Sequence, residues 1–120
     1  MGTVGRLPAR NGGNGGIARC YARNDGLGLT IPYEWYNVDR SYEPDYLVRL
    51  VKPEVELTVV LEIKGMLTEE DKAKHEAARR WVAAVNNWGK LGRWVFHVCR
   101  DPQMLERELA FLLDESERAA

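Results

Sequence analysis

Three residues in two short segments carry the chemistry this sequence can offer: Asp45 in Tyr42-Glu43-Pro44-Asp45-Tyr46, then Glu62 and Lys64 in Leu61-Glu62-Ile63-Lys64-Gly65. Two carboxylates supply the hard oxygen ligands taken by a small divalent cation such as Mg²⁺, which keeps several of its own waters. Such a cation acidifies bound water and stabilises charge on a phosphoryl oxygen. A lysine beside it can orient or deprotonate the attacking water, or offset charge in the transition state. The carbonyl of Ile63, between the two functional side chains, is a further candidate ligand. The chemistry indicated is metal-assisted hydrolysis of a phosphate ester.

Spacing of this kind is common, and a Glu–Lys pair on an exposed sheet face also serves as a plain structural salt bridge. Placement strengthens the signal. Positions two apart on a strand point to one face, so Glu62 and Lys64 project together while Leu61 and Ile63 go to the other side. A neighbouring strand carrying Asp45 brings the second carboxylate, and Gly65 permits a tight exit.

The elements that must hold these residues follow from periodicity. Residues 27–33 place Leu27, Leu29 and Ile31 at alternate positions, the pattern of a strand with one buried face. Pro32 sets this strand at an edge or ends it, with Glu34-Trp35-Tyr36 as a continuation and Asn37-Val38-Asp39 as a turn. Residues 42–51 form a second strand, broken by Lys52-Pro53-Glu54. Residues 56–64 form a third, with Leu57, Val59, Leu61 and Ile63 on one face and Thr58, Val60, Glu62 and Lys64 on the other. The three read as an antiparallel meander. Residues 17–22 suit a helix or a strand equally.

From Thr68 to Trp88 the period becomes helical, with Ala73, Ala77, Trp81 and Val85 and with Ala78 and Val82. Thr68 caps this helix, Glu69, Glu70 and Asp71 suit its dipole, and Asn87 and Gly89 end it. Residues 93–99 read as a buried strand. Asp101-Pro102 opens a last helix with Met104, Leu105, Leu109, Leu112 and Leu113 on its apolar face, fraying from Ser116. The order is β-β-β-α-β-α, an α/β fold with helices packed on a mixed sheet.

With 120 residues, 45% hydrophobic and 29% charged, the chain suits one globular domain over residues 17–118. Residues 1–16, with Asn11-Gly12-Gly13-Asn14-Gly15-Gly16, read as a flexible tail; the Gly-Lys-Ser/Thr ending of a phosphate loop is missing. The net charge of −1, from 17 basic and 18 acidic residues, gives global support to no nucleic-acid partner, so any such contact needs a local basic face. Cys20 and Cys99 form no CxxC and read as reduced thiols. No apolar run reaches membrane-spanning length, and the expected compartment is the cytoplasm.

The chain resembles the nuclease region at the C-terminal end of type III restriction enzyme cleavage subunits, within the PD-(D/E)xK nuclease superfamily. The likeness rests on Leu27-Gly28-Leu29-Thr30-Ile31-Pro32-Tyr33, on Tyr42 through Leu50, and on Leu61-Glu62-Ile63-Lys64-Gly65. It continues in Lys74, Trp81-Val82-Ala83-Ala84-Val85-Asn86 and Gly92-Arg93-Trp94. The resemblance implies a restriction-endonuclease-like mixed sheet and Mg²⁺-dependent hydrolysis of double-stranded DNA, with Mn²⁺ as a substitute. Asp45 and Glu62 are then metal ligands with the Ile63 carbonyl, and Lys64 is catalytic. Relatives place an acidic residue on a preceding helix and carry a helicase motor ahead of the nuclease. Here residues 1–16 offer neither. The chain thus reads as a separated nuclease domain, partnered by a helicase/ATPase motor and a modification subunit, or as a truncated or non-catalytic DNA-binding or assembly module that needs that motor.

Lys72, Lys74 and Arg79, with Arg80, make the helix locally basic and are candidate contacts to phosphate; a solvated face explains each of them as well. Lys74 stands out because the helix after the Glu-x-Lys strand often feeds a side chain into such sites. His75 and His97 lack zinc spacing and read as surface or packing residues. Trp81, Trp88 and Trp94 read as core. Glu34 is a candidate third acid, although an exposed carboxylate fits it better, and a glycosidase pairing of Glu34 with Glu62 leaves Lys64 without a role.

Overall fold

The computed structural model describes Val4–Leu7 and residues 18–119. The elements are β1 (Val4–Leu7), β2 (Ala18–Arg23), β3 (Ile31–Trp35), β4 (Val38–Tyr42), β5 (Tyr46–Lys52), β6 (Val55–Ile63), α1 (Glu69–Trp88), β7 (Trp94–Cys99) and α2 (Leu105–Ala119). Single 3₁₀ turns at Asn24–Gly26 and Pro102–Met104 precede Leu27 and α2.

Strands β2, β5, β6 and β7 form the main sheet, with β1 added at the β2 edge, in the order β1-β2-β5-β6-β7. The pairings β2–β5 and β5–β6 are antiparallel, the latter closed by a short turn, with Tyr46 opposite Leu61 and Lys52 opposite Val55. Strand β7 runs parallel to β6, which requires a crossover, and α1 supplies it. As an interior strand with a helix on each side, β6 is buried on both faces from Leu57 to Glu62.

The two faces have separate cores. Val48, Leu50, Leu57, Val59, Leu61 and Cys99 pack against Leu109 and Leu113 of α2. Val60 and Phe96 pack on the opposite side against Ala77, Ala78 and Val82 of α1, joined by Ile31, Tyr33 and Tyr42. The alternation expected along residues 56–64 therefore sorts side chains to the right faces. What it understates is that the face of Thr58, Val60 and Glu62 is also buried.

Helix α1 begins in a reciprocal cap. The Thr68 hydroxyl accepts from the Asp71 amide at 3.1 Å, and the Asp71 carboxylate accepts from the Thr68 amide at 2.8 Å, a pairing that contributes on the order of 1 kcal/mol. It ends at Gly89, whose φ of 75° is left-handed. At the free edge of the sheet, the Asn86 side chain donates to the Trp94 carbonyl and accepts from the Trp94 amide, both at 2.8 Å.

Several expectations are corrected. The strand over residues 27–33 is not a member of the main sheet; among the described residues Ile31–Trp35 pairs only with β4, in a hairpin packed on α1, and the place beside β5 belongs to β2. The turn expected at Asn37-Val38-Asp39 lies one residue earlier, at Tyr36 and Asn37 with φ of 49° and 61°, and Val38 and Asp39 belong to β4. The strand over residues 42–51 is two strands broken at Glu43-Pro44-Asp45; Pro44 has no N–H to give a ladder. Within residues 1–16, read as a tail, Val4–Leu7 pairs with β2, while residues 1–3 and 8–16 lie outside the described residues. Helix α2 continues through Ser116, which is buried rather than frayed. Gly65 has no left-handed φ, and a Cβ there would meet only the Arg100 carbonyl at 4.0 Å, so the exit does not depend on glycine. No helix among the described residues is long and apolar enough to cross a membrane.

Candidate active site

Asp45 occupies the bend just before β5, one step beyond the last paired residues Tyr46 and Leu61. Continuing that antiparallel register brings Asp45 opposite Glu62. The bend is fixed from two sides: the Asp45 carbonyl accepts from the Asn24 amide at 2.9 Å, and Oδ2 accepts from the Ile63 amide at 3.0 Å. Asp45 thus reaches the end of β6 although it is not inside a strand. A cleft of about 380 Å³ opens beside it, lined by Arg23, Asp25, Glu43, Pro44, Asp45, Tyr46 and Ile63.

Glu62 is buried, 8% exposed, on the α1 side of the sheet. Lys64 follows the end of β6, where its amide donates to the Cys99 carbonyl at 3.0 Å. The Arg100 guanidinium donates to the Gly65 carbonyl at 2.9 Å and ties this exit to the end of β7.

Helix α1 brings charge to the same place. His75 Nε2 bonds Oε2 of Glu62, and Lys64 Nζ lies 2.9 Å from Oδ1 of Asp71. Asp71 and His75 are each 2% exposed. Burial pushes the Asp71 carboxyl up, but the Thr68 amide, the Lys64 ammonium and the Thr68 hydroxyl outweigh it and lower it to about 2. The hydrogen bond to Asp71 raises the Lys64 ammonium; desolvation opposes this, and the charges of Asp71, Glu62 and Asp45 add to the rise. Lys64 is therefore cationic at neutral pH, which favours offsetting charge over deprotonating water.

Tyr42, at the end of the hairpin, completes the wall. Burial, then the charge of Glu62, raise its hydroxyl far above the usual phenol range, with Asp45 and Asp71 contributing. That hydroxyl is buried beside Glu62, and a hydrogen bond to Glu62 adds to the rise. Asp45, Glu62 and Lys64 thus meet in one charged cluster with Asp71, His75 and Tyr42.

The donors left in this cluster suit a hydrated cation. Asp45 and Glu62 each commit one carboxylate oxygen, to the Ile63 amide and to His75, and the second oxygen of each lies outside those two bonds. Both oxygens of Asp71 are engaged, by Lys64 and by the Thr68 amide. Among the described residues no group of three His, Cys, Asp or Glu side chains converges as a metal cage. Two carboxylates, with the Ile63 carbonyl available as a candidate, match Mg²⁺ or Mn²⁺ retaining most of its waters better than zinc.

The candidate phosphate contacts divide. Lys74 Nζ lies 3.9 Å from Asp71 Oδ1 and 5.9 and 6.0 Å from the ring centroids of Tyr33 and Tyr42, at the cluster. Lys72 and Arg79, seven residues apart and so on one stripe, occupy the other shoulder of α1. Lys72 is exposed and pairs with Glu69, and Arg79 lies over Phe96. Glu34 is exposed on the hairpin opposite Asp39, away from the cluster. Trp81 and Trp94 pack edge to face, whereas Trp88 is exposed rather than core.

His75, read as a surface or packing residue, is a buried partner of Glu62, and Asp71 is the third acid that spacing in the strands did not supply. A signal for both exists: Asp71, His75, Ala78 and Val82 recur at intervals of four, three and four, which puts two ionisable residues on the stripe that buries Ala78 and Val82. Both described cysteines are free thiols. Comparison with family models, with curated proteins and with solved structures finds no match for the chain.

Proposed function

We propose that the chain is a metal-dependent endonuclease domain of restriction type, hydrolysing phosphodiester bonds of double-stranded DNA in the cytoplasm. One observation carries this reading: Asp45, Glu62 and Lys64 stand in one charged cluster where β5 begins and β6 ends. When bound, Mg²⁺ would supply an acidified water and a positive charge at the scissile phosphate. Asp45 and Glu62 would hold the cation, with the Ile63 carbonyl as the further ligand. Lys64, kept cationic, offsets charge on the phosphate oxygens, and Lys74 orients the backbone from the neighbouring turn of α1. Lys72 and Arg79 contact phosphates farther along the duplex. Likeness to type III restriction cleavage subunits in the Tyr42–Leu50 and Leu61–Gly65 words supports the same reading and adds a motor and a modification subunit as partners.

The Lys64–Asp71 ion pair favours a second reading, in which the pair is structural and the chain binds DNA without cutting it unless a helicase subunit joins. Nicking of supercoiled plasmid by the chain separates the two. The endonuclease reading expects nicking in Mg²⁺, none in a chelator, and loss on Asp45→Ala or Lys64→Ala. Undiminished nicking in both variants would remove it, and cleavage that appears only when a motor subunit is added would favour the second.

A further inference from the structure

Glu62 has a flexible side chain and two equivalent oxygens, yet a metal ligand must present one oxygen at a fixed place. His75 supplies the constraint. It reaches from the buried stripe of α1 to Oε2 of Glu62, thirteen residues away in sequence. Its ring sits 5.3 Å from the Phe96 ring and 6.1 Å from the Tyr42 ring, which are themselves 6.3 Å apart, so the three rings pack as a triangle that restricts its swing. Both partners are nearly inaccessible, with side chains 3% and 10% exposed. A buried polar pair of this kind carries a desolvation cost that apolar packing of the same volume does not, so its presence asks for a reason other than stability.

We propose that His75 is a positioning residue that holds Oε2 of Glu62 and leaves Oε1 to meet a divalent cation beside Asp45. The inference rests on Asp45 and Glu62 being cation ligands, and it holds whether or not the cation serves DNA cleavage. Outer partners of ligating side chains act this way generally: they fix orientation, and their loss weakens metal binding.

The test is a calorimetric titration of the full chain with Mn²⁺, run beside plasmid nicking. Glutamine can place an amide nitrogen where Nε2 of the imidazole lies, whereas asparagine can reach only the Nδ1 position. Mn²⁺ affinity is expected to fall about 10–100-fold in His75→Asn and to stay within about threefold of wild type in His75→Gln. Glu62→Gln serves as the control that abolishes the same binding. Wild-type affinity in both His75 variants overturns the inference. Equal loss in both, with matching loss of melting temperature, assigns His75 to packing alone and also overturns it. No Mn²⁺ binding by the wild type does the same. If His75→Asn does not fold, His75→Gln decides: near-wild-type binding that Glu62→Gln abolishes supports the inference, and binding more than about tenfold weaker overturns it. Mn²⁺ binding that depends on His75, without any nicking, leaves the inference standing and removes the nuclease reading.

Discussion

The two faces of the sheet solve the same packing problem with different materials. On the α2 side the fully buried cluster is hydrophobic; the one buried charge described there, Arg19, pairs with the partly exposed Glu106, while the Lys52–Asp114 pair and the His97–Glu108 hydrogen bond reach solvent. On the α1 side Glu62 and His75 are both buried, and Asp71 is sealed in beside them. Burial of charge is expensive unless it is paired and hydrogen-bonded. One face is built for cohesion, and the other gives up cohesion to keep a charged cluster at its end.

Breaking each face should therefore produce different failures. Leu109, fully buried under the sheet on the α2 side, is the strongest case: Leu109→Ala is expected to cost about 2–5 kcal/mol in urea denaturation, with nicking per folded molecule unchanged. Asp45→Asn should do the reverse. The amide oxygen can still accept from the Ile63 amide, so the melting temperature holds, while the nicking rate falls on the order of 10²–10³-fold, the scale of losing one preorganised electrostatic contact. A comparable fall in stability in Asp45→Asn would erase the contrast between the faces.

Asp71 gives the smallest effect and the clearest pH signature. Its carboxyl is lowered in the fold from 3.8 to about 2, so its contribution is complete above the unfolded value and is lost as pH falls through the folded one. That shift corresponds to about 2–3 kcal/mol at most. Asp71→Asn should lose this stability at pH 7, and the difference from wild type should shrink between pH 4 and pH 2. A pH-independent difference in guanidinium midpoints would mean that the capping geometry, and not the charge, is what Asp71 contributes.

What could be read from the sequence depended on whether burial left a period. Helix α1 announces itself through Thr68, the acidic first turn and the 3.6-residue spacing, and β6 through the alternation of Leu57, Val59, Leu61 and Ile63. The hairpin β3–β4 does not. Val38 to Ser41 are all exposed, so β4 has no apolar rhythm, and its turn uses Tyr36 and Asn37 in place of the Asn-Gly pair that marks such reversals. Asp45, Glu62 and Lys64 could be picked out because strand spacing pairs them. Asp71 and His75 could not be picked out that way, since a polar residue on a helix is read as solvated unless its stripe is followed down to Ala78 and Val82. Tyr42 was hidden for another reason: it closes a strand whose other residues face solvent.

The bond between Asn86 and Trp94 has a consequence for how copies of this chain behave in a crowd. An outer strand offers an open row of amides and carbonyls to any passing extended segment, and it is a common starting point for aggregation. Here one carboxamide stands in for the missing neighbour and satisfies both the donor and the acceptor of the first residue of β7. An intruding strand that pairs there must first displace it. Asn86, which has no part in the charged cluster, thereby occupies the first pairing position along that edge.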